Sequence, residues 1–162
     1  MITTDPTSPD FNSYASVEDL AAFAVSRSIT LPDETESLLV KAMDYLNGLG
    51  WEGQRTEPDQ PLAWPRLGVD FDGRPYPSDK IPRELITAHC MLAIEAQNGD
   101  LLAANRTAAI KRERIEGAID TTYAIADGES FTPSYPAVDA LLSDFLSGAG
   151  VGFAINSFSR RE

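Results

Sequence analysis

From Gly50 to Lys80 the chain shows neither a helical nor a strand period, and it carries Pro58, Pro61, Pro65, Pro75 and Pro77, with Pro82 just beyond. A connection this long without structure of its own is uncommon inside a compact domain and generally has a task. At its centre lies Gln60-Pro61-Leu62-Ala63-Trp64-Pro65-Arg66. Each proline biases the residue before it away from helical geometry, so the stretch is expected to be extended. Leu62 and Trp64 then share one side at the two-residue spacing of extended backbone. Arg66 follows, with a planar guanidinium suited to a carboxylate, a phosphate or a carbonyl. Two readings are open. In one, residues Gly53 to Arg66 leave the body as a stiff arm with an aromatic anchor and a cationic tip. In the other, Trp64 plugs its own core and Arg66 caps a helix end.

The flanks are strongly helical. Ser16 with Asp19 three residues on is a capping box, the Asp standing in for the usual Glu. Val17, Leu20, Ala21 and Ala24 continue as an apolar stripe, which Phe23 widens. Thr30-Leu31-Pro32-Asp33 breaks this helix, and Leu39, Ala42, Met43 and Leu46 mark the next, ended by Gly48 and Gly50. After Pro82, Leu85, Ala88, His89, Leu92, Ala93 and Ala96 give the cleanest stripe. Ile86, Cys90, Met91 and Ile94 make that segment apolar nearly all round, so it is expected to be the central buried helix. Asp100 to Ala109 could form a short helix. From Ile110, the alternation at Ile115, Ile119, Thr121 and Tyr123 predicts an extended, partly buried strand. Pro136 opens a last short helix through Val138, Leu141, Leu142 and Phe145.

The expected fold class is therefore mainly α: a small bundle of about four helices with a long Pro-rich loop at 50–80 and a short extended or β-hairpin segment. Residues 1–13, rich in Thr, Ser, Pro and Asp, read as an N-terminal arm. Residues 14–147 are the helical domain and 148–162 a C-terminal tail.

Charge narrows the function. Asp and Glu number 25 against 13 Lys and Arg, a net charge of −12. A protein that wraps nucleic acid normally has the opposite balance. The single cysteine, Cys90, excludes an internal disulfide framework and fits a reducing interior. Met1 to Asp10 lacks the basic start and apolar run of a signal peptide, and no stretch is apolar enough to span a membrane. His89 is the only histidine, and adjacent helical residues such as His89 and Cys90 point about 100° apart, so a shared metal is not expected. Gly148-Ala149-Gly150-Val151-Gly152 follows a helix and has no lysine, unlike a phosphate loop. Asp70, Asp72 and Gly73 match only the start of a calcium loop. No enzyme activity, cofactor or metal is expected.

Several segments, in order, resemble a family of tailed-phage proteins. They are Trp51-Glu52-Gly53-Gln54-Arg55, Gln60 through Arg66, Ile81-Pro82 opening an apolar helix, Ile110-Lys111-Arg112-Glu113-Arg114-Ile115, Tyr123 and Val138-Asp139-Ala140-Leu141-Leu142. The family is that of the DnaT-like single-stranded-DNA-binding proteins, similar to head-to-tail connector adaptors. The resemblance covers roughly residues 14 to 147, and Leu62 to Arg66 is its most specific part. Ala63, where an acidic residue is frequent, and Glu116 before Gly117 depart from the common pattern. The resemblance implies a structural adaptor in the neck of the virion, made in the host cytoplasm. It would form a homo-oligomeric ring, commonly twelvefold, with the portal protein above and a tail or stopper protein below. Double-stranded DNA would pass without being read. Leu62, Trp64, Arg66, Arg160 and Arg161 are the interface candidates. The alternative is a single-stranded-DNA-binding protein of phage replication, which wants a basic groove with stacking aromatics. A helical interaction domain with some other partner is the third reading.

Overall fold

A computed structural model of the chain describes residues 1–102 and 135–147. Four α-helices lie among them: α1 (Val17–Val25), α2 (Thr35–Asn47), α3 (Arg83–Glu95) and α4 (Pro136–Leu142), with a 3-10 turn at Ser143–Phe145. Between α2 and α3 come four short strands: β1 (Gln54–Arg55), β2 (Arg66–Leu67), β3 (Asp70–Phe71) and β4 (Arg74–Pro75).

The helices begin and end for local reasons. At α1 the Ser16 hydroxyl accepts the Asp19 N–H at 3.0 Å, while the Asp19 carboxylate accepts the Ser16 N–H at 2.9 Å, a complete capping box. Pro136 stands in the first turn of α4, where its missing N–H costs nothing. Pro82 precedes the first residue of α3 as its N-cap. α3 is the central element, packed against α1, α2 and α4, with Leu85, Ala88, His89, Leu92 and Ala93 fully buried.

A mainly α helical bundle is not what these residues build. The fold is a mixed small domain, with four helices and two antiparallel hairpins. The first hairpin pairs Gln54 with Leu67 and Arg55 with Arg66; the second pairs Asp70 with Pro75 and Phe71 with Arg74. A bridge between Trp51 and Leu146 ties the start of this region to the end of the 3-10 turn. The 50–80 segment is thus folded structure of its own. Its strands are two residues long, too short to show an alternating pattern in the sequence. The tip of the second hairpin is Asp72-Gly73, with φ of 52° and 72°. Positive φ at both central residues is what a tight hairpin turn requires, so the calcium-loop fragment is a turn signal.

Residues 1–13 also differ from the expected arm. Phe11 and Ser13 are buried, and Phe11 meets Tyr14 edge to face at 5.8 Å. The Asn12 side chain accepts the Thr3 N–H at 2.9 Å, and the N-terminal ammonium lies 2.9 Å from the Glu36 carboxylate. One apolar anchor, Phe11, with hydrogen bonds back along the segment fixes a stretch that composition alone marks as loose. The strand expected from Ile110 to Tyr123, most of the Asp100–Ala109 segment, and the tail at 148–162 lie outside the described residues.

Candidate functional site

The distinctive local structure is the region around Trp64. Trp64 has no exposed surface and fills the protein's own interior. It meets Trp51 at 6.0 Å, Tyr76 at 6.1 Å and Phe145 at 5.6 Å, each edge to face. Phe71 stacks on Phe145 at 5.0 Å with the rings 10° apart. This aromatic cluster joins both hairpins to the 3-10 turn. Among the described residues neither buried indole N–H, of Trp51 or Trp64, has a hydrogen-bond partner, so there packing holds the two rings in place. The Trp64 backbone N–H donates to the Tyr14 hydroxyl at 3.2 Å. Burial pushes that phenol up to about 12. The Trp64–Pro65 peptide is cis.

Arg66 does not reach outward. Its Nε donates to the Glu52 carbonyl, Nη1 to Ala63 O at 3.0 Å, and Nη2 to Gly53 O at 2.7 Å and Trp51 O at 3.4 Å. The planar fork gathers carbonyls from both sides of the first hairpin, a task for which a point-charge lysine is poorly shaped. Burial, with the like charge of Arg55 adding to it, pulls the guanidinium below its ordinary value. Gly53 is needed beside it. Its φ is 68°, and a Cβ there would lie 2.1 Å from the Leu67 carbonyl oxygen. Gln60 plays a similar part, donating to Leu62 O at 2.8 Å and Pro65 O at 3.0 Å while accepting the Glu57 N–H at 3.0 Å.

The candidate residues therefore separate. Leu62 and Trp64 are buried inside the chain, and Arg66 holds its own backbone. The expected outward arm from Gly53 to Arg66 is, within this chain, a hairpin closed on an aromatic core. The physical reason is that Trp51, Tyr76 and Phe145 bring enough apolar surface to bury Trp64 without a partner. Arg160 and Arg161 lie outside the described residues. The sequence reading placed Gln60 in this stretch without giving it a role, and it missed Tyr14 and Phe145 as the groups that complete the region. They are far apart in the chain, and no local period links them.

His89 is fully buried. Its Nδ1 accepts the Ala15 N–H at 3.2 Å, so Nε2 carries the proton and donates to Leu39 O at 2.9 Å. Burial lowers its pKa to about 4. With both nitrogens occupied, it joins the N-terminal segment and α2 to α3 and has no lone pair free for a metal. The Cys90 thiol is buried too and pushed up to about 12, chiefly by burial. Among the described residues no group of His, Cys, Asp and Glu could hold a metal ion, and no helix is long and apolar enough to cross a membrane.

A family model described as "Putative DnaT-like ssDNA binding protein" matches residues 1–161. The chain belongs to this family. The match extends the resemblance seen at residues 14 to 147 over both ends of the chain. No curated protein and no solved structure matches it. Of the aromatic cluster, Trp51, Trp64 and Phe145 are at most 9% exposed, while Phe71 and Tyr76 are partly buried. Stacking on bases needs open ring faces, which the buried Trp51, Trp64 and Phe145 do not offer.

Proposed function

We propose that this chain is a structural head-to-tail connector, or adaptor, of a tailed phage or prophage. It is a non-enzymatic ring subunit below the portal, above a tail or stopper protein, through which double-stranded DNA passes. The observation that carries this reading is where the charge lies. The described residues contain seven Lys and Arg and nineteen Asp and Glu, a balance of −12, while the remaining residues carry six of each. The acidic excess falls on the described residues. Such an excess repels a phosphate backbone, which suits passage and opposes grip. A head-to-tail ring needs two different surfaces on each subunit, and a domain with helices and hairpins presents unlike surfaces.

A second reading has a specific observation in its favour. The family description names single-stranded-DNA binding and its match covers nearly the whole chain; on that match alone this reading is the better supported. Against it stand the acidic balance of the described residues and the burial of Trp51, Trp64 and Phe145.

Two measurements on the full chain separate these readings: particle mass with negative-stain imaging, and fluorescence anisotropy with labelled oligo(dT) at physiological salt. A large ring, alone or with a portal, that leaves oligo(dT) free supports the connector. Submicromolar, salt-sensitive binding by a small oligomer establishes the second reading and overturns the first. A monomer that binds neither portal nor oligo(dT) overturns both.

A further inference from the structure

Two asparagine–glycine steps lie among the described residues, Asn47-Gly48 at the end of α2 and Asn98-Gly99 just past α3. In such a step the backbone nitrogen after the asparagine can attack the side-chain amide carbon, because glycine puts no side chain in the way and turns freely. Two conditions govern the attack. The nitrogen must be free of an acceptor, and the backbone must be able to swing it toward the amide. The two steps differ in both.

At Asn47 the helix holds the nucleophile. The Gly48 N–H donates to Tyr45 O at 3.1 Å, and Gly48 itself stays helical at φ −80° and ψ −9°. Asn12, the third described asparagine, precedes Ser13, which is buried and donates its N–H to Thr3 O at 3.3 Å. The Asn12 amide is also engaged, Oδ1 accepting the Thr3 N–H at 2.9 Å and Nδ2 donating to Met1 O at 3.1 Å. At Asn98 the helix has run out. The N–H groups of Ala96, Gln97 and Asn98 still donate to the Leu92, Ile94 and Glu95 carbonyls, at 2.9, 3.2 and 2.9 Å. The next N–H, that of Gly99, has no acceptor among the described residues, and the Asn98 side chain makes no hydrogen bond there. Both residues are exposed. Gly99 has a φ of 151°, and a Cβ on it would meet nothing within 4 Å, so the space beside the step is open.

We infer that Asn98 is a site of spontaneous deamidation in the folded protein, while the fold protects Asn47 and Asn12. A solvent base takes the proton from the Gly99 nitrogen, which bonds to Asn98 Cγ. The Cγ–Nδ2 bond breaks, and ammonia leaves with a proton from water. The succinimide ring that remains is opened by water. Breaking the bond from Cγ to the Gly99 nitrogen gives aspartate; breaking the bond from the Asn98 carbonyl carbon gives isoaspartate, in which the chain runs through the side chain. Neither step changes an oxidation state. Either product adds one negative charge to the balance of −12. The charge arises at the C-terminal end of α3, the negative end of the helix dipole, with Glu95 and Asp100 close by in sequence. The isoaspartate product also lengthens the backbone by one carbon just before Leu101, which is buried. The chain thus carries an ageing site at the exit of its central helix.

The full chain, kept folded at mildly alkaline pH, digested in acid and mapped by peptide mass spectrometry, tests this. Asn98 should lose its amide about tenfold faster than Asn47, because Asn47 must first open its turn, and Asn12 should stay intact. In urea, where both asparagine–glycine steps are free, the rate at Asn47 should rise to that at Asn98. Ion exchange of the native protein should show an acidic species growing at the rate of Asn98. Asn98→Gln should lack it, since the longer side chain closes a six-membered ring only slowly. Equal rates at Asn47 and Asn98 in the folded wild type, or an Asn98 rate that climbs about tenfold in urea, would overturn the inference. That comparison needs no variant. Deamidation goes beyond the connector reading, and its rates are measured on the purified chain, so the two fail separately.

Discussion

The helical body around α3 and the hairpin region from Trp51 to Tyr76 bury their residues by different means. In the body, backbone polar groups are paired inside each helix, and the side chains have only to pack. Leucines and alanines suffice there: Leu20, Leu39, Leu46, Ala88 and Leu92 are all fully buried. In the hairpin region only a few ladder bonds form, so most carbonyls of the segment need partners from elsewhere. Arg66 and Gln60 provide them, and large rings fill the space that regular elements would otherwise fill. The lesson is that a segment poor in regular structure can be well packed when a few long polar side chains replace the missing ladder.

The comparison breaks most sharply at Trp64. Trp64→Ala should destabilise the isolated chain by ~3–5 kcal/mol, at least as much as the ~2–5 kcal/mol of Leu92→Ala in the body. Thermal or urea unfolding of the two variants measures this. A Trp64→Ala protein with an unchanged melt that fails to assemble would restore the picture of an outward anchor.

Next in size is a pH effect confined to the body. The folded pKa of His89 is depressed to about 4 from an ordinary 6.5, so the folded state resists taking up its proton. Its contribution is fully present above pH 6.5, declines as pH falls through the window down to about 4, and is lost below that. The depression is worth roughly 3 kcal/mol. Carboxylates titrate in the lower part of this window, so the difference between wild type and His89→Gln isolates the histidine. Equal slopes of unfolding free energy against pH for the two proteins between pH 6.5 and 4.5 would remove His89 as the cause.

Arg66→Lys keeps the charge and removes the fork. It should cost ~1–3 kcal/mol by leaving hairpin carbonyls unpaired. Hydrogen exchange should quicken in 52–67 while the amides of α3 keep their protection. Uniform loss of protection would mean that the two regions unfold as one unit, and the contrast between them would lose its energetic meaning. The smallest effect is at the start of α1. Ser16→Ala removes one half of the capping box and should cost about 1 kcal/mol, read as a shift of the melting midpoint.

Much of the body was legible before any coordinates. A helical stripe is a local pattern, and the Ser16–Asp19 box and Pro136 are short-range signals whose physics is complete within a turn. The burial of α3 followed from its being apolar all round. The hairpin region was legible only in part. Its prolines announce non-helical backbone, and Asp72-Gly73, which matches only the start of a calcium loop, is a hairpin turn. The family too could be read from the segments around Leu62 to Arg66, and it extends to residues 1–161.

By itself, then, the sequence determined the positions of the helices, the capping box of α1 and the proline start of α4, the central position of α3, the acidic balance and the family. Tertiary structure alone decided that the fold is mixed, that Phe11 anchors the N-terminal segment, and that Trp64 points inward. The reason is range. Helix and turn formation depend on neighbours a few residues apart, whereas the environment of Trp64 is made by Tyr14, Trp51, Tyr76 and Phe145, up to 81 residues away along the chain. Which face of an extended segment becomes the inside is set by what arrives to cover it, and only the folded chain brings those residues together.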